Sequence, residues 1–435
     1  MTDDAPARFR WLPPGLRPPA PMTWRQERVF LLVGVAALFA GYDQNVFGLA
    51  IPQIQAGLGI PDNMIGLTVS FFRLATLVAL PLAAMADLVG RRRLLLFTIL
   101  GQAIATLATA FAANYAQFVW TQICTRVFGY AEEMLCYVVI AEEVAAATRG
   151  WASGTLAAMD YTGAGVASLV FLGVNVIPYG WRAIYVVGAV PLLLVAWLRR
   201  SLPETQRFAA LEGALKMRSR IADTMILLRD LTRQYPGRLA AVLIAAAAFG
   251  FAVGPASVLS SKYLQSVQHY TPLDINILFI PGGLAGLAMA ITAGRLSDRI
   301  GRKRTTCAVV LIAGIGFAFF YGGISGAALA PLWIIAFFGF FAGEALIAGY
   351  ALEVVPTHYR ATVSGLRYLA EILSGAVSLA LEGRLYDHFG AHGPAIRALL
   401  CTLPIAIVAL LFLPEPAGRR LEDMADEKIS AQTSP

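Results

Sequence analysis

The sequence predicts an all-α polytopic membrane protein, twelve transmembrane helices arranged as two six-helix repeats. Three observations predict it. The 435 residues are 58% hydrophobic and only 14% charged, with mean hydropathy +0.66, where a soluble domain carries roughly a quarter charged residues. Apolar runs of about 20 residues recur along the chain, the length that crosses a bilayer as a helix, and in lipid a helix satisfies its own backbone. Short motifs also recur at a fixed offset of 211 residues, the mark of an internal duplication.

Taken in order, the spans fall at 28–51, 64–86, 94–112, 117–144, 152–175 and 180–198, then 239–264, 274–296, 305–323, 331–352, 361–386 and 394–412. Lys and Arg orient them. The alternate connections 1–27, 87–93, 145–151, 199–238, 297–304, 353–360 and 413–435 hold 25 of the 34 basic residues, and those on the other side hold none. Both termini are therefore expected in the cytoplasm. The net charge of +7 follows from this bias and from anionic headgroups, and implies no nucleic acid.

The domain reading follows. Residues 1–27, with WLPPGLRPPAP, read as a disordered cytoplasmic arm. Residues 28–198 form the N-terminal half, 199–238 a cytoplasmic linker, 239–412 the C-terminal half and 413–435 a cytoplasmic tail. In the linker Phe208, Leu211, Leu215, Ile221, Met225 and Leu228 recur at helical spacing among basic residues, the pattern of an amphipathic helix on the inner face. The four cysteines have no metal spacing and no external pair, and the four histidines form no ligand cluster. No phosphate loop is present. No metal, no cofactor and no enzyme activity are expected.

The repeat is carried by three motifs. Asp87, Gly90 and Arg91 in DLVGRRR match Asp298, Gly301 and Arg302 in DRIGRKR. Glu142, Arg149, Ser153 and Gly154 match Glu353, Arg360, Ser364 and Gly365, and Leu202-Pro203-Glu204 matches Leu413-Pro414-Glu415. An aspartate between two helices is placed to cap the second and meet its positive end. The adjacent arginines supply the opposite charge.

These motifs carry a resemblance. ADLVGRRR, SDRIGRKR and EVVPTHYRATVSG resemble the signature loops of the major facilitator superfamily. YGWRAIYVVGAVPLLL followed by LPETQRF, the late LPEPAGRRLEDM, and GYDQNVFG in the first span are similar to its sugar-porter and aromatic-acid/proton symporter branches. The resemblance implies that spans 1, 4, 7 and 10 line a central cavity. It also implies an inner-face charge network that holds one conformation and breaks in the other. That makes Asp87, Gly90, Arg91, Glu142, Arg149, Asp298, Gly301, Arg302, Glu353 and Arg360 gating residues.

Charges inside the spans are the candidates for chemistry, since a carboxylate at mid-bilayer costs roughly 3 kcal/mol or more. At ~1.5 Å per residue, Asp43 lies ~22 Å from the inner end of its helix, Arg126 ~27 Å and Glu133 ~16 Å. Burial disfavours a carboxylate's charge and an approaching arginine favours it. Asp43, Arg126 and Glu133 are therefore read as the proton-coupling set. Gln44, Asn45, Arg73, Gln122, Tyr130 and Glu344 are candidate substrate contacts. Asp160 and Glu371 occupy equivalent positions in the repeat and are read as gating, with Arg367 one turn from Glu371 as its natural partner.

The function these features predict is secondary active transport: proton-coupled uptake of a small polar metabolite, a sugar or an organic or aromatic acid, by alternating access. The proton is the coupling ion, and the other partners are substrate and lipid bilayer around a functional monomer. Arg outnumbers Lys and no N-x-[ST] sequon occurs, which fits a bacterial inner membrane. Two alternatives stand beside it. Drug efflux by antiport would fit a Gly-Pro-rich fifth span, and here that span reads MDYTGAGVASLVFLG. A non-transporting sensor would need a signalling domain, and the longest cytoplasmic segment is 199–238.

Overall fold

The computed structural model describes residues 17–144, 146–200, 226, 228–356 and 359–415. The arm before residue 17, most of the linker with its amphipathic pattern and Glu204, and the tail beyond 415 lie outside the described residues. So do the side chains of Asp87 and Arg149.

In chain order the helices are α1 (Trp24–Leu58), α2 (Met64–Leu74), α3 (Thr76–Ala84), α4 (Ala86–Val89), α5 (Arg91–Ala110), α6 (Tyr115–Glu143), α7 (Ala146–Phe171) and α8 (Trp181–Arg199). They continue as α9 (Pro236–Val258), α10 (Ser260–Ser266), α11 (Pro272–Ile300), α12 (Arg302–Phe320), α13 (Leu329–Glu353), α14 (Arg360–Phe389), α15 (His392–Leu400) and α16 (Leu403–Leu411). The pairs α2–α3, α9–α10 and α15–α16 are each one span with a break, so the helices make twelve crossings. Eight helical stretches among the described residues are long and apolar enough by length and composition to cross a membrane.

Local chemistry sets the helix ends. Thr23 caps α1 in a reciprocal box: its hydroxyl accepts from Gln26 N at 3.3 Å, and Gln26 Oε1 accepts from Thr23 N at 3.0 Å. Thr271 and Asp274 repeat the box at α11, with Pro272 at the first helical position. α1 bends where Pro52 lacks an N–H to donate, and Ala50 there leaves helical geometry (φ −100°, ψ 17°).

The fold divides into two compact units, Met1–Ile60 with Ala75–Ser219, and Pro61–Leu74 with Arg220–Pro435. The first half of the second span, α2, thus groups with the second unit. In the first unit α1 packs along α7, and in the second α9 packs along α14. These are the same two spans of each repeat. Glycines permit the approach. A Cβ on Gly41 would lie 2.1 Å from Asp160 O, and one on Gly250 would lie 2.5 Å from Glu371 O. α2 lies on α14 by the same device, with Gly66 against Leu379 O and Gly383 against Asn63 O.

Large apolar side chains face outward as well as inward, and several charged ones lie within. Phe97, Ile104, Trp120, Leu194, Leu284 and Val377 are exposed, while Asp43, Gln122, Arg126, Glu132, Arg199 and Glu382 are buried. An apolar exterior around a polar interior is what hydrocarbon solvent selects.

Candidate functional site

The duplicated loops fold alike. Gly90 (φ 100°, ψ 145°) and Gly301 (φ 112°, ψ 147°) turn the chain with backbones that L side chains rarely adopt. The next residue in each case reaches an acid 51 residues on. Arg91 Nη2 donates to Glu142 Oε1 at 2.9 Å and its Nη1 to Ala86 O at 3.1 Å. Arg302 Nε donates to Glu353 Oε2 at 2.9 Å, and its Nη1 lies 2.7 Å from Asp298 Oδ1 and donates to Ser297 Oγ. Each pair ties the start of one span to the end of the next. Arg360 Nε donates to Leu352 O at 3.0 Å. Glu415 accepts from the amides of Arg302 (2.8 Å) and Lys303 (3.0 Å), capping α12. Sequence reading gave Glu415 no role, although the duplication of Leu-Pro-Glu was the signal for it.

In the first unit, one face of α6 presents Gln122, Arg126, Tyr130 and Glu133 at helical spacing. Asp43 on α1 is 1% exposed. Its Oδ1 accepts from Thr106 Oγ1 at 3.1 Å, and its Oδ2 has no hydrogen-bond partner among the described residues. Arg126 Nη2 donates to the backbone carbonyls of Asp43 (3.5 Å) and Gln44 (3.1 Å), so the guanidinium lies one peptide from the carboxylate. Gln44 Nε2 donates to Glu133 Oε2 at 3.3 Å. Arg126 is thus bonded to the α1 backbone at Asp43 and Gln44, and Glu133 to the Gln44 side chain. Asn45 is exposed and donates to Gly41 O at 2.8 Å; Tyr130 is half-buried. Gln122 is buried, and its amide donates to Thr109 Oγ1 at 3.2 Å. Asp160 is half-buried, with Oδ1 lacking a hydrogen-bond partner, and close enough to Glu133 for their charges to interact.

Glu132 points away from its neighbour Glu133. It is buried against Arg199 and Thr98 Oγ1, and Arg199 Nη2 also donates to Leu32 O at 3.1 Å. Arg199 is fully buried in the last turn of α8, where the sequence reading began the linker. Its charge reads as a positive-inside residue by position alone. Only the Glu132–Glu133 doublet hinted that one acid needed a separate partner.

In the second unit, Arg73 of α2 lies over two glycines. A Cβ on Gly375 would be 2.2 Å from its Nη1 and one on Gly254 3.3 Å. Its charge interacts with Glu344 and Glu371, and Arg367 pairs with Glu371 as the four-residue spacing predicts. Arg73, from the first repeat, and Glu344, from the second, therefore share one cluster.

A further group of charges, missed in the sequence, joins Asp62, Lys262, Glu382, Tyr386 and His392. These residues are scattered over 330 positions, and no local pattern unites them.

The family model described as Major Facilitator Superfamily matches residues 33–379. The probable 4-methylmuconolactone transporter of Cupriavidus pinatubonensis is 23% identical over 425 residues, covering 94% of this chain and 96% of its own. The gallate transporter of Pseudomonas putida is 28% identical over 203 residues, 45% of this chain and 43% of its own. Among solved structures, a D-xylose-proton symporter aligns with a TM-score of 0.73 at 18% identity, over 90% of this chain and 99% of that one, a likeness of fold.

Proposed function

The chain belongs to the Major Facilitator Superfamily, and on that premise we propose that it takes up a small organic acid together with protons by alternating access. The observation that carries this reading is the setting of Asp43: a buried carboxylate among Thr106 and Gln102, beside an arginine held on the neighbouring carbonyls. Such an acid keeps a proton while the guanidinium is engaged elsewhere. It loses the proton when the guanidinium turns to it. A conformational change that moves α1 against α6 couples the two states to the two sides of the membrane.

Glu133, linked to Asp43's helix through Gln44, is the second acid on this route. Gln44, Asn45, Gln122 and Tyr130 in the first unit, and Arg73 and Glu344 in the second, are the proposed substrate contacts. An arginine inside a span, Arg73, suits a carboxylate better than a neutral sugar. The relatives named for gallate and 4-methylmuconolactone support an organic acid. The loop pairs Arg91–Glu142 and Arg302–Glu353, with Asp87, Arg149, Asp298 and Arg360, serve as the inner gate, and Asp160 and Glu371 as gating acids. A monomer in a bacterial inner membrane with both termini inside completes the reading.

The test is uptake into proteoliposomes under an imposed pH gradient, acid outside, with gallate and a pentose as alternative substrates. Gallate accumulation that collapses with a protonophore is the expected result. Uptake indifferent to the gradient, or of the pentose alone, contradicts the proposal.

A further inference from the structure

Where α2 begins, four elements of the second unit bring ionisable groups onto one imidazole. His392, the first residue of α15, places Nδ1 2.6 Å from Glu382 Oε1 on α14 and Nε2 3.8 Å from Asp62 Oδ1, two residues ahead of α2. Asp62 also pairs with Lys262 of α10, and its Oδ2 accepts from Tyr386 Oη at 3.2 Å. The Tyr386 ring lies against the imidazole, centroids 4.4 Å apart. Tyr263 of α10 and the backbone of Tyr321 after α12 pack on the next residue, Gly393. Tyr321 Oη is engaged elsewhere, donating to Ala256 O at 2.6 Å. Asp387, the remaining acid nearby, accepts from Asn63 Nδ2 at 2.9 Å. Glu382 is fully buried, and neither its Oε2 nor His392 Nε2 has a hydrogen-bond partner among the described residues.

This geometry fixes what one proton does. A charged Glu382 accepts the hydrogen on Nδ1. In a neutral ring Nε2 then carries only a lone pair, and that lone pair faces the Asp62 carboxylate. Glu382 and Asp62 thus face the same ring from two sides. Protonation makes Nε2 a second donor. The ring then bridges a carboxylate on α14 to one at the start of α2.

We infer that His392 is a proton-binding site at this end of the second unit, and that its proton latches α2 onto α14 and α15. The latch is closed when both ring nitrogens carry a hydrogen and loosens when Nε2 does not. By sequence α2 belongs to the first repeat, so a carrier whose repeats move apart at this end has to release it. The inference goes beyond the proposed function, since it needs neither substrate nor a proton on Asp43.

The test reads exposure of α2 directly. Ser70 is buried one turn beyond Gly66, on the same side of α2 as Gly66 and Arg73. Ser70→Cys is introduced in a full-length protein whose four native cysteines are serine, and maleimide labelling is timed in nanodiscs, where the reagent reaches both faces. The rate is divided by that of the same protein carrying His392→Gln, which cancels the thiol's own titration. At about pH 8 the ratio is expected near one, and at about pH 5.5 the native histidine slows labelling roughly fivefold or more. His392→Lys, permanently charged, is expected to protect at both. A ratio that is the same at both pH values overturns the latch. If His392→Gln does not fold, Asp62→Asn removes the group facing Nε2 and serves as the divisor, and a flat ratio again overturns it.

Discussion

Arg91 grips Glu142 in the first unit as Arg302 grips Glu353 in the second, behind glycines with nearly the same backbone angles. Deeper in the spans the correspondence ends. Asp43 has Gly254 as its counterpart, and that glycine leaves the surface on which Arg73 lies. The buried pair Glu132 and Arg199 is replaced by Gly343 and Leu410, while the Arg367 that pairs with Glu371 is replaced by Leu156 beside Asp160. In the second unit Glu371 is paired with Arg367. In the first, Asp160 leaves an oxygen without a hydrogen-bond partner among the described residues. The duplicated groups sit at the charged loops, and the unduplicated groups lie deeper in the spans.

The largest effect is expected where the difference is most buried. Glu132→Ala strands Arg199 without its carboxylate, a loss of about 3–5 kcal/mol for a buried pair broken on one side. Thermal unfolding in detergent and membrane yield measure it. Glu132→Gly with Arg199→Leu installs the second unit's solution and is expected to recover much of the loss. A double variant no better than the single would mean that the two units are packed too differently for the comparison to hold.

Smaller effects test the symmetric part. The Arg91–Glu142 side chains are 6% and 11% exposed, those of Arg302–Glu353 24% and 25%. Arg91→Gln is therefore expected to destabilise more than Arg302→Gln, whose cost stays near 1 kcal/mol or below. Both are expected to slow transport while leaving equilibrium binding of substrate within a few-fold, since they bias conformations. Loss of binding in a folded Arg302→Gln protein would remove these residues from the gate.

Much of this architecture is legible in the sequence because hydrocarbon imposes a simple code. Span length, the positive-inside bias and a gapless repeat give the crossings, and Gly90 with Arg91 and Glu142 announces its loop by recurring as Gly301, Arg302 and Glu353. Arg367 with Glu371 is readable because the pair lies within one helical turn. What stays hidden depends on contacts between distant spans. Arg199 looks like a topological charge until its buried carboxylate is seen. Arg73 joins Glu344 only because Gly254 and Gly375 clear a path, and the Asp62–His392–Glu382 cluster has no local pattern at all.

The central claim is that Asp43 carries the coupling proton, and one pair of assays on Asp43→Asn tests it most directly. Asparagine mimics the protonated acid and keeps the bond to Thr106 available. Counterflow exchange and pH-driven uptake are measured in the same vesicles. The account predicts that exchange persists within a few-fold, because it needs no net proton release, and that accumulation against a gradient is lost, because the empty carrier cannot discharge its proton and reset. Accumulation that survives in Asp43→Asn would contradict the account and move the proton to Glu133.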